Sequence, residues 1–208
     1  MTPARIDTPA FHRNCIHILE ILKTELGQGR GHILEVASGS GQHCLEFARE
    51  LPDYIFWPSD INSEHMESIE EWRKTENTKN LRSPIKLDAI DFNWHLDNSI
   101  FPKIVFEAII NVNMVHIAPI EAAEGLFRGS GQYLKKGGKL ILYGPFKKNG
   151  RHVAQSNQQF DDALRAKNYE WGVRDISELS AFGKSYNLNL SHLVPMPSNN
   201  FMLIYCRI

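Results

Sequence analysis

The sequence predicts an α/β fold, a doubly wound and mostly parallel sheet with helices on both faces, and three observations predict it. Short apolar runs alternate with amphipathic stretches from Ile33 to Tyr143, the pattern of parallel strand–helix–strand units. The first run, Ile33 to Ala37, passes straight into a glycine-rich turn, Ser38-Gly39-Ser40-Gly41, that opens a helical stretch. The last two β-like runs, Leu188 to Val194 and Phe201 to Ile208, are joined by a Pro/Ser/Asn segment too short for a helical crossover, so they must pair antiparallel.

Each element has a local reason. Thr8-Pro9 reads as a cap with proline at the first helical position, and Phe11, Cys15, Ile18, Leu19, Leu22 and Leu26 then fall on one helical face. Gly27 to Gly31 ends that helix. The strand Ile33 to Ala37 and the helix Gln42 to Leu51 follow, then a strand at Tyr54 to Pro58. Asn62 or Ser63 caps a helix reaching about Glu76, and Pro84 to Leu87 is a short strand. Ile104 to Val112 is nearly continuous in apolar residues, as a central parallel strand covered on both faces requires. Pro119 starts a helix to about Leu134, and Lys136-Gly137-Gly138 turns it into a strand at Lys139 to Tyr143. Ser156 to Ala166 is helical, and Asp175-Ile176-Ser177-Glu178 has the spacing of a capping box.

Composition narrows the function. At 208 residues, with 42% hydrophobic and 23% charged residues, one globular domain is the default. A net charge of −1 with interspersed signs gives no reason to expect nucleic acid or an anionic membrane as the main partner, and points to a small-molecule or protein substrate. Cys15, Cys44 and Cys206 are odd in number and form no C-x-x-C, which fits a reducing, cytoplasmic setting and no zinc site. The nine histidines make no metal-binding spacing, so no metal is expected. The first residues lack a secretory pattern, and no run approaches the ~18 apolar residues of a membrane span.

The chemistry concentrates at the glycine turn. A strand, a glycine turn and a helix N-terminus gather backbone N–H groups, and Asp60, 21 residues beyond Gly39, is placed for ribose hydroxyls. A dinucleotide site wants a third glycine where this chain has Cys44, and Glu35, four positions before Gly39, would repel a diphosphate. A carboxylate there suits a cationic amino-acid group beside a sulfonium, as in S-adenosyl-L-methionine. Glu35-x-x-x-Gly39-x-Gly41 accordingly resembles motif I of the Rossmann-like S-adenosylmethionine-dependent methyltransferases. An ordinary tight turn is the plainer alternative, and a nicotinamide oxidoreductase the less favoured one.

The resemblance extends along nearly the whole chain. Glu35-Val36-Ala37-Ser38-Gly39-Ser40-Gly41-Gln42-His43, Pro58-Ser59-Asp60, Asn111-Val112-Asn113-Met114-Val115-His116, Tyr143-Gly144-Pro145-Phe146, Trp171-Gly172-Val173-Arg174-Asp175 and Pro197-Ser198-Asn199-Asn200 are similar to a family of small, largely uncharacterised methyltransferase-like proteins. Ser198 stands where that family tends to have Ala. The resemblance implies a seven-stranded, mostly parallel sheet with one antiparallel strand. Length sets one domain over 1–208, read as an N-terminal helix whose Arg13 and Asn14 close the crevice as a lid (1–30), a cofactor-binding core (31–145) and acceptor-side elements with the terminal strands (146–208). The resemblance also implies that Glu35, the backbone of Ala37, Gly39 and Gly41, and Gln42 hold the methionine part of the cofactor. Asp60 and Ile61 would hold the ribose, Asp88 and Ala89 the adenine, and Asn111 and Asn113 would border the methyl group.

Methyl transfer is an in-line displacement in which the cofactor supplies the reactivity and the protein supplies position. His116, just beyond Asn113, is the candidate base, with capping the strand end or packing against the cofactor as the rival reading. His43 is placed by the turn, as a pocket or helix-end residue. Asn14, Tyr143, Asn157, Arg174 and Asn199 are candidates for the acceptor pocket, although Arg174 pairing with Asp161 or Asp175 is the plainer reading. The fourth strand does not end in the N-P-P-aromatic tetrad that holds planar nitrogen acceptors. The leading expectation is a methyltransferase on a small-molecule acceptor; a non-catalytic S-adenosylmethionine-binding protein is the alternative.

Overall fold

A computed structural model describes residues 5–96 and 104–208. Seven strands form one sheet in the order β3-β2-β1-β4-β5-β7-β6. They are β1 (Gly31–Val36), β2 (Tyr54–Asp60), β3 (Ile85–Lys86), β4 (Phe106–Val112), β5 (Leu134–Gly144), β6 (Leu188–Met196) and β7 (Asn200–Arg207). β1 to β5 are mutually parallel, and β7 runs antiparallel to both β5 and β6. The helices are α1 (Pro9–Leu26), α2 (Gln42–Glu50), α3 (Ser63–Glu76), α4 (Ile120–Tyr133), α5 (Gln155–Lys167) and α6 (Ile176–Ser185).

Alternation along each strand divides the core into two layers. Ile33 of β1, Ile110 of β4 and Ile141 of β5 face Ile18 and Leu22 of α1 and Phe47 of α2. Leu34, Ile109 and Leu140, one residue on in β1 and one back in the others, face Leu126 and Phe127 of α4 and Leu179 of α6. Each such side chain, fully buried, contributes about 1.5–3 kcal/mol. None of the helices described is long and apolar enough to cross a membrane.

The caps follow the local sequence, with one diversion. The Asn62 side chain accepts from the N–H groups of Glu64 and His65, and Asp175 accepts from Ser177 N–H. Thr8 occupies the cap position of α1 but its side chain makes no cap bond; its hydroxyl turns to Gln42 instead. Strand bounds shift by a few residues from those expected, and two of the shifts have a visible reason. β1 ends one residue early because Ala37 has φ 57°, a left-handed conformation that breaks the ladder. β5 begins at Leu134 and runs through the glycines, its pairing with β4 shifting register between Phe106 and Ala108. The topology reverses between β1 and β4, so the crevice for a ligand lies outside the carboxyl ends of these strands.

Candidate functional site

Glu35 lies at the carboxyl end of β1 on the α2 side of the sheet, 1% exposed, beside the fully buried Cys44. Burial pushes its carboxyl up to about 7, with the negative charge of Asp60 adding to the effect; hydrogen bonds from Ser38 and Cys44 oppose it. Among the described residues its Oε2 has no hydrogen-bond partner. An unpartnered buried carboxylate oxygen is costly, and a cationic ligand would relieve it.

The turn after Glu35 is stitched to β2. Ser38 N–H donates to Ser59 O (2.8 Å), and Gly39 N–H donates to Asp60 Oδ2 (2.9 Å). Asp60 Oδ1 accepts from Asn62 N–H (2.9 Å) and lies 3.2 Å from His65 Nδ1. Two oxygens carry about four acceptor positions, so Asp60 retains capacity for donors from a ligand. Gly39 and Gly41 both hold left-handed backbone, at φ 56° and 86°. A Cβ on Gly39 would meet nothing within 4 Å, so the space over the turn is open, whereas a Cβ on Gly41 would come within 2.7 Å of Ile69 Cγ1. Gly41 thus lets the turn pack closely against Ile69 of α3.

Two cavities open along this edge. A slot of about 210 Å³ is lined by Ala37, Ile61, Asp88 and Ala89, together with Leu87 and Met114. The Asp88 side chain accepts from Ile90 N–H (2.9 Å) and shapes the loop that forms one wall. A second cavity of about 450 Å³ is lined by Asn14, Asn113, Tyr143, Asn157 and Asn199, with Arg13 at α1. Asn113 lines one cavity and Met114 the other, so the two are neighbours along the strand ends. Asn113 has φ 67°, and its N–H donates to Tyr143 O (2.9 Å), tying the ends of β4 and β5 together.

The larger cavity is built from segments far apart in sequence. α1 supplies Asn14, whose Oδ1 lies 2.7 Å from His43 Nε2; burial lowers the His43 pKa to about 4, so the ring is neutral and donates. α5 supplies Asn157, which donates to Asn199 O (2.9 Å). Asn199 and Ser198 both hold φ 59°, bending the connection between β6 and β7 over α5. Pro145 and Phe160 complete an apolar wall.

Four expected residues are placed elsewhere. His116 is wholly buried, lines neither cavity, and has Phe146 against its ring with centroids 4.9 Å apart. Burial, with Arg174 nearby, lowers its pKa to about 3, and neither ring nitrogen has a well-formed hydrogen bond. A group so enclosed reaches no acceptor in the cavity. Arg174 lines neither cavity and, among the described residues, pairs with no carboxylate directly. Its guanidinium donates to the carbonyl oxygens of Val115 (2.9 Å), Ala118 (2.7 Å) and Glu170 (2.8 Å). Asn111 is wholly buried and donates to Val36 O (2.8 Å), joining β4 to β1 beneath the crevice. Gln42 is occupied: its Oε1 accepts from Thr8 N–H (2.8 Å) and its Nε2 donates to Asp7 Oδ1 (2.7 Å), fastening the start of α1 over the turn.

Asp161 belongs to a separate buried charge cluster with Lys147 (2.6 Å) and His152 (3.1 Å). Among the lining residues, Met114, Pro145 and Pro197 fall in segments that carry the resemblance, but the sequence assigns no site role to them or to Phe160. Phe160 follows Asn157 by three residues, and that helical spacing was the available signal.

This sheet order, with the glycine turn and crevice at its reversal, defines the Rossmann-like methyltransferase fold. An O-methyltransferase family protein from Burkholderia thailandensis superposes with a TM-score of 0.76 at 13% identity, over 95% of this chain and 57% of its own. Magnesium protoporphyrin IX methyltransferase from Synechocystis, solved with bound S-adenosylhomocysteine, gives 0.69 at 10% identity, over 94% of this chain and 83% of its own. An O-methyltransferase family 2 protein from Planctomyces limnophilus, in complex with apigenin, gives 0.70 at 13% identity, over 94% and 62%. This chain therefore spans little more than half of the first of these proteins. By sequence, residues 5–207 match the family described as protein of unknown function, DUF938, and the chain belongs to it.

Proposed function

We propose that this protein is an S-adenosylmethionine-dependent methyltransferase acting on a small-molecule acceptor. The observation that carries the reading is Glu35: a buried carboxylate with an unpartnered oxygen at the strand end, beside the open space over Gly39. That pairing fits a cationic amino-acid group and disfavours a diphosphate. The apolar slot between Ile61, Ala89 and Met114 fits a flat purine, with Asp88 at its edge, and Asp60 stands between slot and turn for the ribose. When bound, the cofactor supplies a methyl group on a positively charged sulfur. The chain's own part is to orient: Asn113 marks the boundary between the slot and the larger cavity, and α1 closes that cavity from the N-terminal side. The structural neighbours solved with S-adenosylhomocysteine and with apigenin support both halves of the reading. Free cysteines Cys15, Cys44 and Cys206 fit a reducing compartment such as the cytoplasm.

One observation favours a second reading, cofactor binding without catalysis: His116, the expected base, is sealed in the core. Calorimetric titration with S-adenosylhomocysteine tests the first half. Wild type binds; Asp60→Ala, which removes the acceptor beside the slot, binds at least about tenfold more weakly, the factor a hydrogen bond to a charged group supplies. Equal affinity in the two proteins sinks the assignment, and methyl transfer to any acceptor separates enzyme from binder.

A further inference from the structure

The larger cavity is one-sided in charge. Among its described lining residues there is one cation, Arg13, and there is no carboxylate, histidine, cysteine or lysine. The other polar groups are hydroxyls and carboxamides. Arg13 is solvent-exposed at the mouth and forms no ion pair among the described residues. Arg13 and Asn14 line the cavity beside Tyr143, and both favour the ionised form of its hydroxyl. Burial nevertheless dominates and raises the Tyr143 pKa, so the group stays a donor at neutral pH. A guanidinium and a phenol hydroxyl thus converge at one corner, both donors, while Pro145, Phe160 and Pro197 line the wall.

Resting on the methyltransferase reading, we infer that this cavity takes a small acceptor with an apolar body and a carboxylate. Arg13 and Tyr143 hold the carboxylate, and the carboxylate is itself the methylated group. Two facts point the same way. An unpaired guanidinium in a pocket without acidic residues selects an anion, and its planar fork matches two carboxylate oxygens. The wall also holds no group able to take up a proton near neutral pH, and His116 is sealed off. An alcohol acceptor would need such a group, and an alkylamine, protonated at neutral pH, would have to lose a proton before it could attack. A carboxylate does not: one of its oxygens bonds to the methyl carbon as the carbon–sulfur bond breaks, the electron pair of that bond stays on sulfur, and no proton is removed. The products are a neutral methyl ester and a neutral thioether.

The test uses matched acid and amide probes on protein saturated with S-adenosylhomocysteine: phenylacetate against phenylacetamide, and indole-3-acetate against indole-3-acetamide, by ligand-observed NMR titration. In wild type at least one acid binds about tenfold more tightly than its amide, the factor expected of one charge-assisted hydrogen bond. Arg13→Ala abolishes that preference and Tyr143→Phe reduces it, while S-adenosylhomocysteine affinity and thermal midpoint stay at wild-type values. Equal binding of acid and amide, or no binding of either acid, overturns the inference. So does a fall in S-adenosylhomocysteine affinity in Arg13→Ala, which would assign the guanidinium to the cofactor's own carboxylate. Absence of S-adenosylhomocysteine binding in wild type is a different failure and removes the methyltransferase reading itself. With labelled S-adenosylmethionine and a panel of carboxylic acids, the methyl label is recovered as methanol after mild alkali; an alkali-stable product refutes the ester.

Discussion

Replacing Glu35 by Gln separates what this carboxylate does for a ligand from what it costs the fold. Its pKa stands at about 7 against an ordinary 4.5, because burial disfavours the charged form. The folded state therefore holds a proton between pH 4.5 and 7 that the unfolded state has released, and stability falls as pH rises through this window. From pH 5 to pH 8 the loss from this one group is about 2–3 kcal/mol. His43 and His116, whose pKa values are lowered, act with the opposite sign: they cost stability as pH falls below 6.5. Both are present in wild type and in Glu35→Gln, so they cancel when the two proteins are compared. Guanidinium unfolding at pH 5 and pH 8 should show wild type losing about 2–3 kcal/mol more than Glu35→Gln, read as a shift in midpoint at constant slope. Affinity moves the other way. A cation requires the ionised carboxylate, so wild-type affinity for S-adenosylhomocysteine should weaken by about tenfold per pH unit below 7, with proton release on binding at pH 6. Glu35→Gln should bind weakly with a flat profile over the same range. Parallel stability curves for the two proteins would refute the burial argument, and undiminished affinity in Glu35→Gln would refute the role assigned to the charge.

Other outcomes follow from single positions. Ala37 holds φ 57°, which costs a residue with a side chain about 1–2 kcal/mol; Ala37→Gly should raise unfolding stability by about 0.5–1 kcal/mol after glycine's greater unfolded-state freedom is counted. Gly125 packs α4 against the slot wall so closely that a Cβ would stand 1.9 Å from Ala89 O, so Gly125→Ala should cost about 1–3 kcal/mol and weaken S-adenosylhomocysteine binding by displacing that wall. His116 stays neutral down to about pH 3 in the fold but takes up a proton near 6.5 when unfolded, so wild type loses stability as pH falls between these values. His116→Leu should flatten that acid limb in a pH-resolved unfolding series and leave S-adenosylhomocysteine affinity unchanged; a loss of affinity would return the histidine to the site.

The sequence by itself determined the order of elements, the parallel core and the place of the crevice. These rest on relations between near neighbours. A run such as Ala108-Ile109-Ile110 reads as a covered strand because both faces must be buried, and Asn62 and Asp175 cap helices that begin one residue later. Glu35 ahead of Gly39 and Gly41 was legible for the same reason: strand, turn and helix are contiguous. Asn14, Tyr143, Asn157 and Asn199 were also picked from the sequence, but that they line one cavity is a tertiary fact, since α1, β5, α5 and the β6–β7 connection meet only when the sheet is complete. The tertiary structure alone decided the fates of His116 and Arg174. Position just beyond β4 placed His116 near the crevice, and Arg174 read as an acceptor or ion-pair residue, yet Phe146 and Gly144 enclose the imidazole, and carbonyl groups up to 59 residues away hold the guanidinium. Side-chain type and spacing set what a group can do, whereas burial and partners, which set its charge and reach, come from contacts remote in the chain.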